Sequence, residues 1–396
     1  MALDVARARA DTPGIRNVVH FNNAGSALPP RQVTDAVIDH LRLESEIGGY
    51  EAAAAAADKV ENAYDAIAAL IGCRRDEVAI VENATRAWDM VFYALATSFE
   101  RGDRILTSRA EYASNVIAFL QVAARTGVVL EPIDDDDAGQ LSVEDLRRRL
   151  AAQDAGPVRL VAVTHVPTQG GLVNPAREIG RVTREHGVPF LLDACQSVGQ
   201  MRIDVDDIGC DFLTATGRKF LRGPRGTGFA YIRRELIAGL EPPFLDLHAA
   251  TWTATDEFRI RPDARRFENW ESNVAGKIGL GVAADYARAW GMDAIEQRVN
   301  ALAEALRLRL GDRRDIDVHD RGAHTCGIVT FTMDGVDPEA VQRRLNEHRV
   351  NTSVSTVTSA RFDLEARGLP AVVRASVHYY NTEDEIERLI DALPRP

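Results

Sequence analysis

Two short apolar runs in the middle of the chain each end close to a residue that could do chemistry. Residues 190–192 are followed by the carboxylate of Asp193, and residues 211–216 lead to the amine of Lys219. Apolar runs of this length, bounded by polar and glycine-rich turns, are typical of strands buried on both faces of a parallel sheet. Because ligands bind at the carboxyl ends of such strands, we expect Asp193 and Lys219 at one edge of the sheet.

This pair of groups is what a pyridoxal phosphate (PLP) site requires. A lysine forms an imine with the cofactor aldehyde, and an acid keeps the pyridine nitrogen protonated so that the ring can withdraw electrons. Each residue alone has a simpler interpretation. An Asp after a strand commonly caps a turn or a helix, and a Lys in a glycine-rich loop is usually solvated. The chemical interpretation therefore depends on the joint pattern.

The joint pattern resembles the signature of a known family. Its residues are Asp193, Gln196, Thr216, Arg218 and Lys219, followed by Gly223, Gly226 and Gly228. They are similar to those of class V aminotransferases, the group that includes cysteine desulfurases and selenocysteine lyases. The resemblance runs from about Phe21 to Leu393. It implies an α/β protein of fold type I, with a mainly parallel, doubly wound sheet in a large domain and a smaller α/β C-terminal domain.

The predicted elements agree with this fold class. Strands are predicted at residues 78–81, 104–108, 160–164, 189–192, 211–216, 327–332 and 372–376. Helical patterns occupy residues 31–71, 142–153, 174–186, 277–290, 293–310, 337–348 and 382–393, whereas 20–30, 240–266 and 351–362 read as irregular. Strand, helix and strand at this spacing indicate βαβ units. We expect an N-terminal arm over the active site at 1–25, a large PLP-binding domain at 26–265, and a connecting helix with a small C-terminal domain at 266–396.

Composition limits the classes of partner. The chain has 396 residues and a net charge of −12, which argues against nucleic acid or an anionic membrane as its main partner. No stretch approaches the about 20 apolar residues of a membrane span, and the N-terminus lacks the apolar core of a signal peptide, so we expect a cytoplasmic protein. The four cysteines are scattered without CxxC pairing. We therefore expect neither a disulfide framework nor a metal site.

A helix start is expected to hold the cofactor phosphate. Ala84 and Thr85 lead into a helix whose free N–H groups and positive dipole end would attract an anion. An N-cap role for Asn83 or Thr85 is equally compatible with the sequence. By resemblance, Thr216 and Arg218 match phosphate-binding residues of the family, and an arginine suits phosphate because it offers a fixed fork of donors.

The resemblance places three further side chains around the cofactor. Gln196 would hydrogen-bond the phenolic oxygen of PLP. Tyr112 stands where desulfurases have a histidine that stacks on the cofactor ring. A tyrosine can stack through its π face, but it cannot shuttle protons near neutral pH as imidazole does. His165 follows the predicted strand 160–164, where the family usually has an asparagine, and we expect it near the phenolic oxygen and the substrate.

Two segments are expected to complete the site. The loop HFNNAGSALPP at residues 20–30 lies over the entrance in the family, so Asn22 and Ala24 are candidate substrate-side residues, although turn chemistry alone could explain this composition.

In the family a threonine of the partner subunit reaches the phosphate. Glu271 falls near that place and would be repelled. Ser272 or Asn273 would then take over, or the contact is absent. The resemblance thus implies a homodimer with a shared active site.

Arg374 matches the family arginine that binds the substrate α-carboxylate. A planar guanidinium pairs with a carboxylate through two parallel hydrogen bonds, which is the physical reason for arginine at this place. A surface arginine on a strand is the simpler alternative. The expected substrate is therefore a small molecule, an α-amino acid.

The segment VNTSVSTVTSA at residues 350–360 contains no cysteine. Desulfurases have a catalytic cysteine in this loop that attacks the substrate sulfur and becomes a persulfide. The nearest position here is Thr356, and a threonine hydroxyl is far less nucleophilic than a thiolate. The sequence therefore predicts PLP chemistry without a persulfide on this loop, with Lys219 as the base that removes the α-proton.

Three reactions remain open from that step. We favour β-elimination from a sulfur-containing amino acid, because relatives of the desulfurases that lack the thiol include C–S lyases. Transamination to a keto acid is the alternative, and epimerisation similar to that of isopenicillin N epimerase is the third. A non-catalytic scaffold or PLP-binding regulator would be expected to lack Lys219, Asp193 or Arg374, and all three are present.

Overall fold

The computed structural model of the protein describes residues 3–152 and 154–395. Met1, Ala2, Gln153 and Pro396 lie outside the described residues. They belong to the start of the predicted N-terminal arm, the end of the predicted helix 142–153, and the end of the predicted C-terminal domain. Across the described residues, no helix has both the length and the apolar character needed to cross a membrane.

The strands are, in chain order, β1 (Val19–His20), β2 (Val78–Val81), β3 (Arg104–Ser108), β4 (Val129–Ile133), β5 (Val158–Thr164), β6 (Phe190–Asp193), β7 (Phe212–Thr216), β8 (Gly228–Ile232), β9 (Ala250–Ala254), β10 (Glu257–Ile260), β11 (Ile316–Val318), β12 (Ile328–Met333), β13 (Val350–Asn351), β14 (Ser353–Thr356) and β15 (Ala371–Ser376). The predicted strands 78–81 and 104–108 are confirmed as β2 and β3, and the other five are confirmed within two residues at each end.

The α-helices are, in chain order, α1 (Val5–Ala10), α2 (Asn23–Ser26), α3 (Arg31–Ile47), α4 (Gly49–Ala55), α5 (Ala57–Ile71), α6 (Ala84–Ala96), α7 (Ala113–Thr126), α8 (Val143–Ala151), α9 (Ala176–Glu185), α10 (Val205–Ile208), α11 (Arg234–Ile237), α12 (Val274–Trp290), α13 (Met292–Gly311), α14 (Pro338–Glu347), α15 (Arg361–Ala366) and α16 (Glu383–Ala392). Short 3-10 turns lie at Pro13–Arg16, Arg75–Glu77, Ala264–Phe267 and Val357–Ser359.

The central sheet is mainly parallel. Within the described residues its strand order is β2-β8-β7-β6-β5-β3-β4. The strands β7, β6, β5, β3 and β4 run parallel, whereas β8 is antiparallel to both β7 and β2. The parallel strands are connected through the helices α7, α8, α9 and α10, as parallel connections require. This arrangement confirms the predicted α/β class.

Helices cover both faces of the central sheet. Along β6, Phe190 and Leu192 belong to one buried apolar cluster, and Leu191 between them belongs to the other. Phe92 of α6 and Phe119 of α7 meet with ring centroids 5.1 Å apart on the Leu191 side. Burial on both faces explains why these strands are continuous apolar runs and do not alternate.

A second, antiparallel sheet lies in the C-terminal part of the chain, with strand order β11-β12-β15-β14 among the described residues. Helices α13 and α14 pack on its strands. The predicted cap of the last helix is confirmed, because the Thr382 hydroxyl accepts from the backbone N–H of Glu385 in a capping box. The N-terminal segment docks here as well, since β1 pairs in parallel with β13. The domain boundaries at 25/26 and 265/266 stay predictions.

Four stretches differ from the sequence expectation. Residues 250–260 form the hairpin β9–β10, whose exposed strands carry no buried apolar run that would have marked them. Residues 351–362 include β14, whose backbone pairs with β15, and the start of α15. Residues 23–26 form the single helical turn α2. The helical stretch 31–71 is interrupted at Gly48, where φ is 96°, and again at Ala56.

Candidate active site

Lys219 lies in a tight loop directly after β7. The loop is held by the backbone N–H of Gly217 donating to Thr227 O at 3.0 Å, and by that of Gly223 donating to Gly217 O at 2.7 Å. A Cβ on Gly217 would lie 2.3 Å from Thr227 Oγ1, so this position requires glycine. The Lys219 side chain is buried, and this burial lowers the pKa of its amine.

Asp193 ends β6, the strand beside β7. Its Oδ1 accepts from the backbone N–H of Cys195 at 2.9 Å, and its Oδ2 accepts from Asn115 Nδ2 at 3.1 Å. The charge of Asp193 raises the pKa of Lys219, against the larger effect of burial. The two groups predicted to meet at the carboxyl ends of neighbouring strands are therefore close enough to interact.

Tyr112 precedes the first residue of α7 and faces the same loop. The Lys219 Nζ atom lies 5.9 Å from the centroid of its ring. The backbone N–H of Tyr112 donates to the carboxylate of Glu111 at 2.8 Å. The tyrosine ring thus lies beside the lysine, and the tyrosine backbone is held by Glu111.

Gln196 connects the strand end to the N-terminal segment. Its Nε2 donates to Ala24 O at 3.0 Å and to Thr168 Oγ1 at 3.3 Å. Its Oε1 is buried and has no hydrogen-bond partner among the described residues. Thr168 was not singled out from the sequence, and its place between Gln196 and Arg374 became visible only in the fold.

Arg374 lies on β15 and points back toward this cluster. Its Nη1 donates to Thr168 O at 3.0 Å and also contacts Thr168 Oγ1, and its Nη2 donates to Asn22 Oδ1 at 3.3 Å. Burial, and after it the charge of Arg218, lowers the pKa of Arg374 to about 10. Its Nε has no partner in the part of the chain that the structure describes. Two guanidinium groups thus face one buried region.

The predicted phosphate residues also gather near this region. Thr216 pairs with Gly228 across β7 and β8, and a Cβ on Gly228 would lie 2.8 Å from the backbone nitrogen of Ala84. The start of α6 therefore abuts the end of β7. Asn83 caps that helix by accepting from Arg86 N–H at 2.9 Å, which leaves the exposed Thr85 hydroxyl outside the cap.

The remaining phosphate candidates have different surroundings. Arg218 contacts the carbonyl oxygen of Gly25 through its Nη1. Ser272 lines a small cavity together with Glu82, Thr227 and Lys277, next to the start of α6. It also lines an open groove on the outer surface.

His165 is not brought to this cluster, which corrects the sequence expectation. Its backbone N–H donates to Asp193 O at 2.9 Å, and its carbonyl accepts from Asn174 N–H at 2.8 Å. His165 lines a separate groove together with Asn174 and Arg177. Burial, with a smaller effect of Arg177, lowers the His165 pKa to about 4. In the loop that follows β5, Thr168 takes the position near Gln196 that we expected for His165.

Sequence reasoning also missed a buried pair behind the site, Glu111 and Asn115. The four-residue spacing at the start of a helix was a possible signal, because it puts both side chains on one face. The residues looked like ordinary polar residues of a loop. Only the fold shows that Asn115 contacts Asp193.

Comparison with known proteins defines the class of this fold and site. The family model described as aminotransferase class-V matches residues 19–389, so the chain belongs to that family, whose members are PLP-dependent enzymes. A probable cysteine desulfurase 2 of Mycobacterium leprae is 32% identical over 99% of this chain and 96% of its own length.

Two solved structures show the same fold. The apo cysteine desulfurase of Thermococcus onnurineus NA1 has a TM-score of 0.91 and 28% identity, covering 99% of this chain and 97% of its own. A cystine C–S lyase, solved with its reaction product cysteine persulfide, has a TM-score of 0.83 and 24% identity, with 96% and 98% coverage. The recognised family and the fold type I architecture are thereby confirmed.

Proposed function

We propose that this class V PLP enzyme acts on an α-amino acid and cleaves it by β-elimination, as a C–S lyase does, without a persulfide on the protein. One observation carries the proposal. The buried Arg374, suited to an α-carboxylate, contacts the Thr168 hydroxyl that also accepts from Gln196, while residues 350–366 offer no thiol. An amino-acid site is therefore combined with a loop that lacks the desulfurase nucleophile.

The residues present fit PLP. An amine, a carboxylate and an aromatic ring converge in Lys219, Asp193 and Tyr112, and the buried Oε1 of Gln196 and Nε of Arg374 are unpartnered within the described residues. In this proposal Asp193 pairs with the ring nitrogen, Tyr112 stacks on the ring, and Gln196 lies at the phenolic oxygen. Ala84, Thr85, Thr216 and Arg218 hold the phosphate. When bound, PLP supplies an electron sink for a carbanion.

The chain itself then performs three tasks. Arg374, held by Asn22 and Thr168, binds the substrate carboxylate and orients Cα toward Lys219. Lys219 takes the α-proton on Nζ, and burial favours this because it lowers the amine pKa and so favours the neutral, basic form. The same burial excludes water from the reacting atoms.

No described cysteine offers a reactive thiolate in place of the loop residue. Cys195 lies nearest to Lys219, but burial, followed by the charge of Asp193, raises the pKa of its thiol well above the usual value. Burial raises the pKa values of Cys73, Cys210 and Cys326 as well. A raised pKa favours the protonated thiol, which is a poor nucleophile. This supports elimination without a persulfide.

Transamination and epimerisation use the same contacts. Both need Lys219 as a proton carrier and Arg374 as a carboxylate anchor, and they differ only in where the proton returns. They are the second and third candidates. Product analysis distinguishes them from elimination.

The deciding experiment mixes the purified PLP-loaded protein with cysteine, cystine or alanine in the absence of a keto acid. Absorbance of the bound cofactor, pyruvate, alanine and sulfide are recorded together. Elimination from cysteine yields pyruvate, ammonia and sulfide over many turnovers, and the cofactor absorbance recovers. One equivalent of keto acid with permanent bleaching would indicate transamination, and exchange of the α-proton with inversion would indicate epimerisation. Alanine with persulfide would instead indicate desulfuration.

Two variants test which side chains the reaction requires. Lys219→Ala should abolish turnover with every substrate. Cys195→Ser should retain sulfide release, because the proposal assigns no nucleophilic role to this thiol. Loss of sulfide release in Cys195→Ser with a protein persulfide in the parent protein would contradict the proposal.

We also propose a homodimer with a shared active site. The hairpin β9–β10 exposes Trp252 at 77% and Phe258 at 57%, and Trp270 beside Ser272 is 51% exposed. Trp252 and Phe258 are paired across the hairpin, and exposed aromatic side chains of this kind are typical of an interface. Light scattering after gel filtration should give twice the chain mass of 43.4 kDa, and Trp252→Ser should shift the protein toward monomer. A parent protein of single-chain mass would refute the dimer.

A cytoplasmic location stays a prediction, and cell fractionation is the experiment that would test it.

A further inference from the structure

Glu111 is a buried carboxylate that none of the roles above uses. It is 1% exposed, and both of its oxygens are occupied. Oε1 accepts from the backbone N–H of Tyr112 at 2.8 Å, from Asn115 Nδ2 at 2.9 Å and from the Thr164 hydroxyl. Oε2 accepts from Thr107 Oγ1 at 3.1 Å and from Thr164 N–H at 3.0 Å. One carboxylate therefore joins the ends of β3 and β5 to the start of α7.

The same network reaches Asp193 through one side chain. Asn115 is 3% exposed, and its Nδ2 donates to Glu111 Oε1 at 2.9 Å and to Asp193 Oδ2 at 3.1 Å. An amide nitrogen has two hydrogens, so both are used. The position of Asp193 Oδ2 is thus tied to Glu111.

The partners of Glu111 are all neutral donors. No arginine or lysine of the described chain forms an ion pair with it. Burial, with a smaller contribution from the charge of Asp193, raises the Glu111 pKa to about 7. An apolar side chain at this position would leave five buried donor contacts without an acceptor, so Glu111 contributes to stability. Because these contacts come from β3, β5 and the start of α7, the carboxylate also fixes these elements relative to one another.

We propose that Glu111 is a positioning residue that sets Tyr112 and Asp193 relative to each other, so that the aromatic ring could stack on the pyridine ring of PLP while the carboxylate reached its nitrogen. It holds Tyr112 through the backbone N–H and Asp193 through Asn115. The inference rests on the proposed assignment of Tyr112 and Asp193 to the cofactor. It predicts that Glu111 controls how PLP is bound, whichever reaction follows.

The test compares the parent protein with Glu111→Gln, both loaded with PLP. Cofactor affinity is measured by titrating the apo form, and the ring-nitrogen protonation is followed by NMR with ¹⁵N-labelled PLP. Gln keeps the size of the side chain but has only one acceptor oxygen, so its NH2 group must face donors at either the Oε1 or the Oε2 position. We expect affinity to fall about tenfold, as for loss of a hydrogen bond to a charged group, and the nitrogen signal to move toward the unprotonated form.

A second variant distinguishes a loss of positioning from a general loss of folding. Asn115→Ala removes the link to Asp193 and leaves four contacts of Glu111 in place. The ¹⁵N signal of PLP bound to Asn115→Ala should move in the same direction as in Glu111→Gln. The double variant should bind PLP no more weakly than the weaker-binding of the two single variants. Additive losses would show that Glu111 does not act through Asn115.

Glu77→Gln is the matched control. Glu77 is a buried carboxylate that accepts from Arg74 N–H at 2.8 Å and Arg234 N–H at 2.9 Å, and it contacts no proposed site residue. The Glu77→Gln variant should have altered stability but an unchanged affinity for PLP and an unchanged ¹⁵N signal of the bound cofactor. Unchanged affinity and nitrogen signal in Glu111→Gln would overturn the inference. Borohydride reduction and peptide mapping of the parent protein test the Lys219 assignment separately, so the two failures are distinguishable.

Discussion

The Nη2 atom of Arg374 donates to Asn22 Oδ1 at 3.3 Å, although 352 residues separate them in the chain. The contact exists because the N-terminal segment docks beside β15. The backbone N–H of Ser376 donates to Phe21 O at 2.6 Å, and Asn22 and Ser376 form a parallel bridge. The orientation of the guanidinium is therefore set by a segment from the other end of the chain.

Asn22→Ala should weaken substrate binding with little effect on the chemical step. The variant loses one hydrogen bond that the charged guanidinium donates to a neutral amide oxygen, and we expect KM for an amino-acid substrate to rise about fivefold, the equivalent of about 1 kcal/mol. Arg374→Lys should raise KM further, because an ammonium cannot pair with a carboxylate through two parallel bonds. Steady-state kinetics gives both values. Asn346→Ala, on the exposed face of α14, is the control, and an unchanged KM in Asn22→Ala would argue against the contact.

Lys219 should be the residue that carries the cofactor. The chain has only three lysines, Lys59, Lys219 and Lys277, so reduction with borohydride and mass spectrometry of the peptides gives a clear answer. We expect the mass of reduced PLP on Lys219, and a loss of turnover of at least about a thousandfold in Lys219→Ala. Lys59→Ala, at an exposed position, should behave as the parent protein. Labelling of Lys277 would refute the assignment.

His165 should make the protein less stable in acid. Its pKa is lowered to about 4 in the folded state, against an ordinary value of 6.5, so the unfolded chain binds a proton that the folded chain excludes. Stability is therefore complete above about pH 6.5 and is lost as pH falls toward 4, by about 3 kcal/mol in all.

Denaturant unfolding of the parent protein and of His165→Gln between pH 7 and pH 4 tests whether His165 causes this loss of stability. The variant should lose less stability between pH 7 and pH 5 than the parent protein. His348→Gln, at an exposed position, is the control. Parallel pH curves for the parent protein and His165→Gln would contradict the buried, neutral state.

Arg222 should be essential for stability near Lys219. It is 1% exposed, and it donates to Leu28 O at 2.9 Å, to Tyr379 Oη at 2.7 Å and to Thr12 Oγ1 at 2.6 Å. Its guanidinium also lies 4.6 Å from the ring centroid of Tyr380. Arg222→Met leaves these acceptors without a donor, so we expect a loss of about 3 kcal/mol.

Thermal and denaturant unfolding measure this loss, with Arg225→Met at an exposed position as the control. The cofactor should also dissociate more readily from Arg222→Met, since Arg222 and Lys219 share one loop. Stability equal to that of Arg225→Met would show that the aromatic and hydroxyl contacts contribute little.

The sequence was sufficient for the features that depend on local pattern. A continuous apolar run predicted the strand β2, and the resemblance identified the family, because Asp193 and Lys219 lie at or just after the ends of two buried strands. The Thr382 cap followed from short-range chemistry in the same way. These predictions succeeded because strand burial and helix capping depend on residues close together in the chain.

The direction and the partners of side chains depended on the tertiary fold. His165 and Thr168 lie in the same loop, yet only Thr168 contacts Gln196 and Arg374, whereas His165 lines another groove. The link from Asp193 to Asn115 joins residues 78 positions apart. No periodicity encodes such contacts, since they arise only when separate strand ends and helix starts are packed at one edge of the sheet.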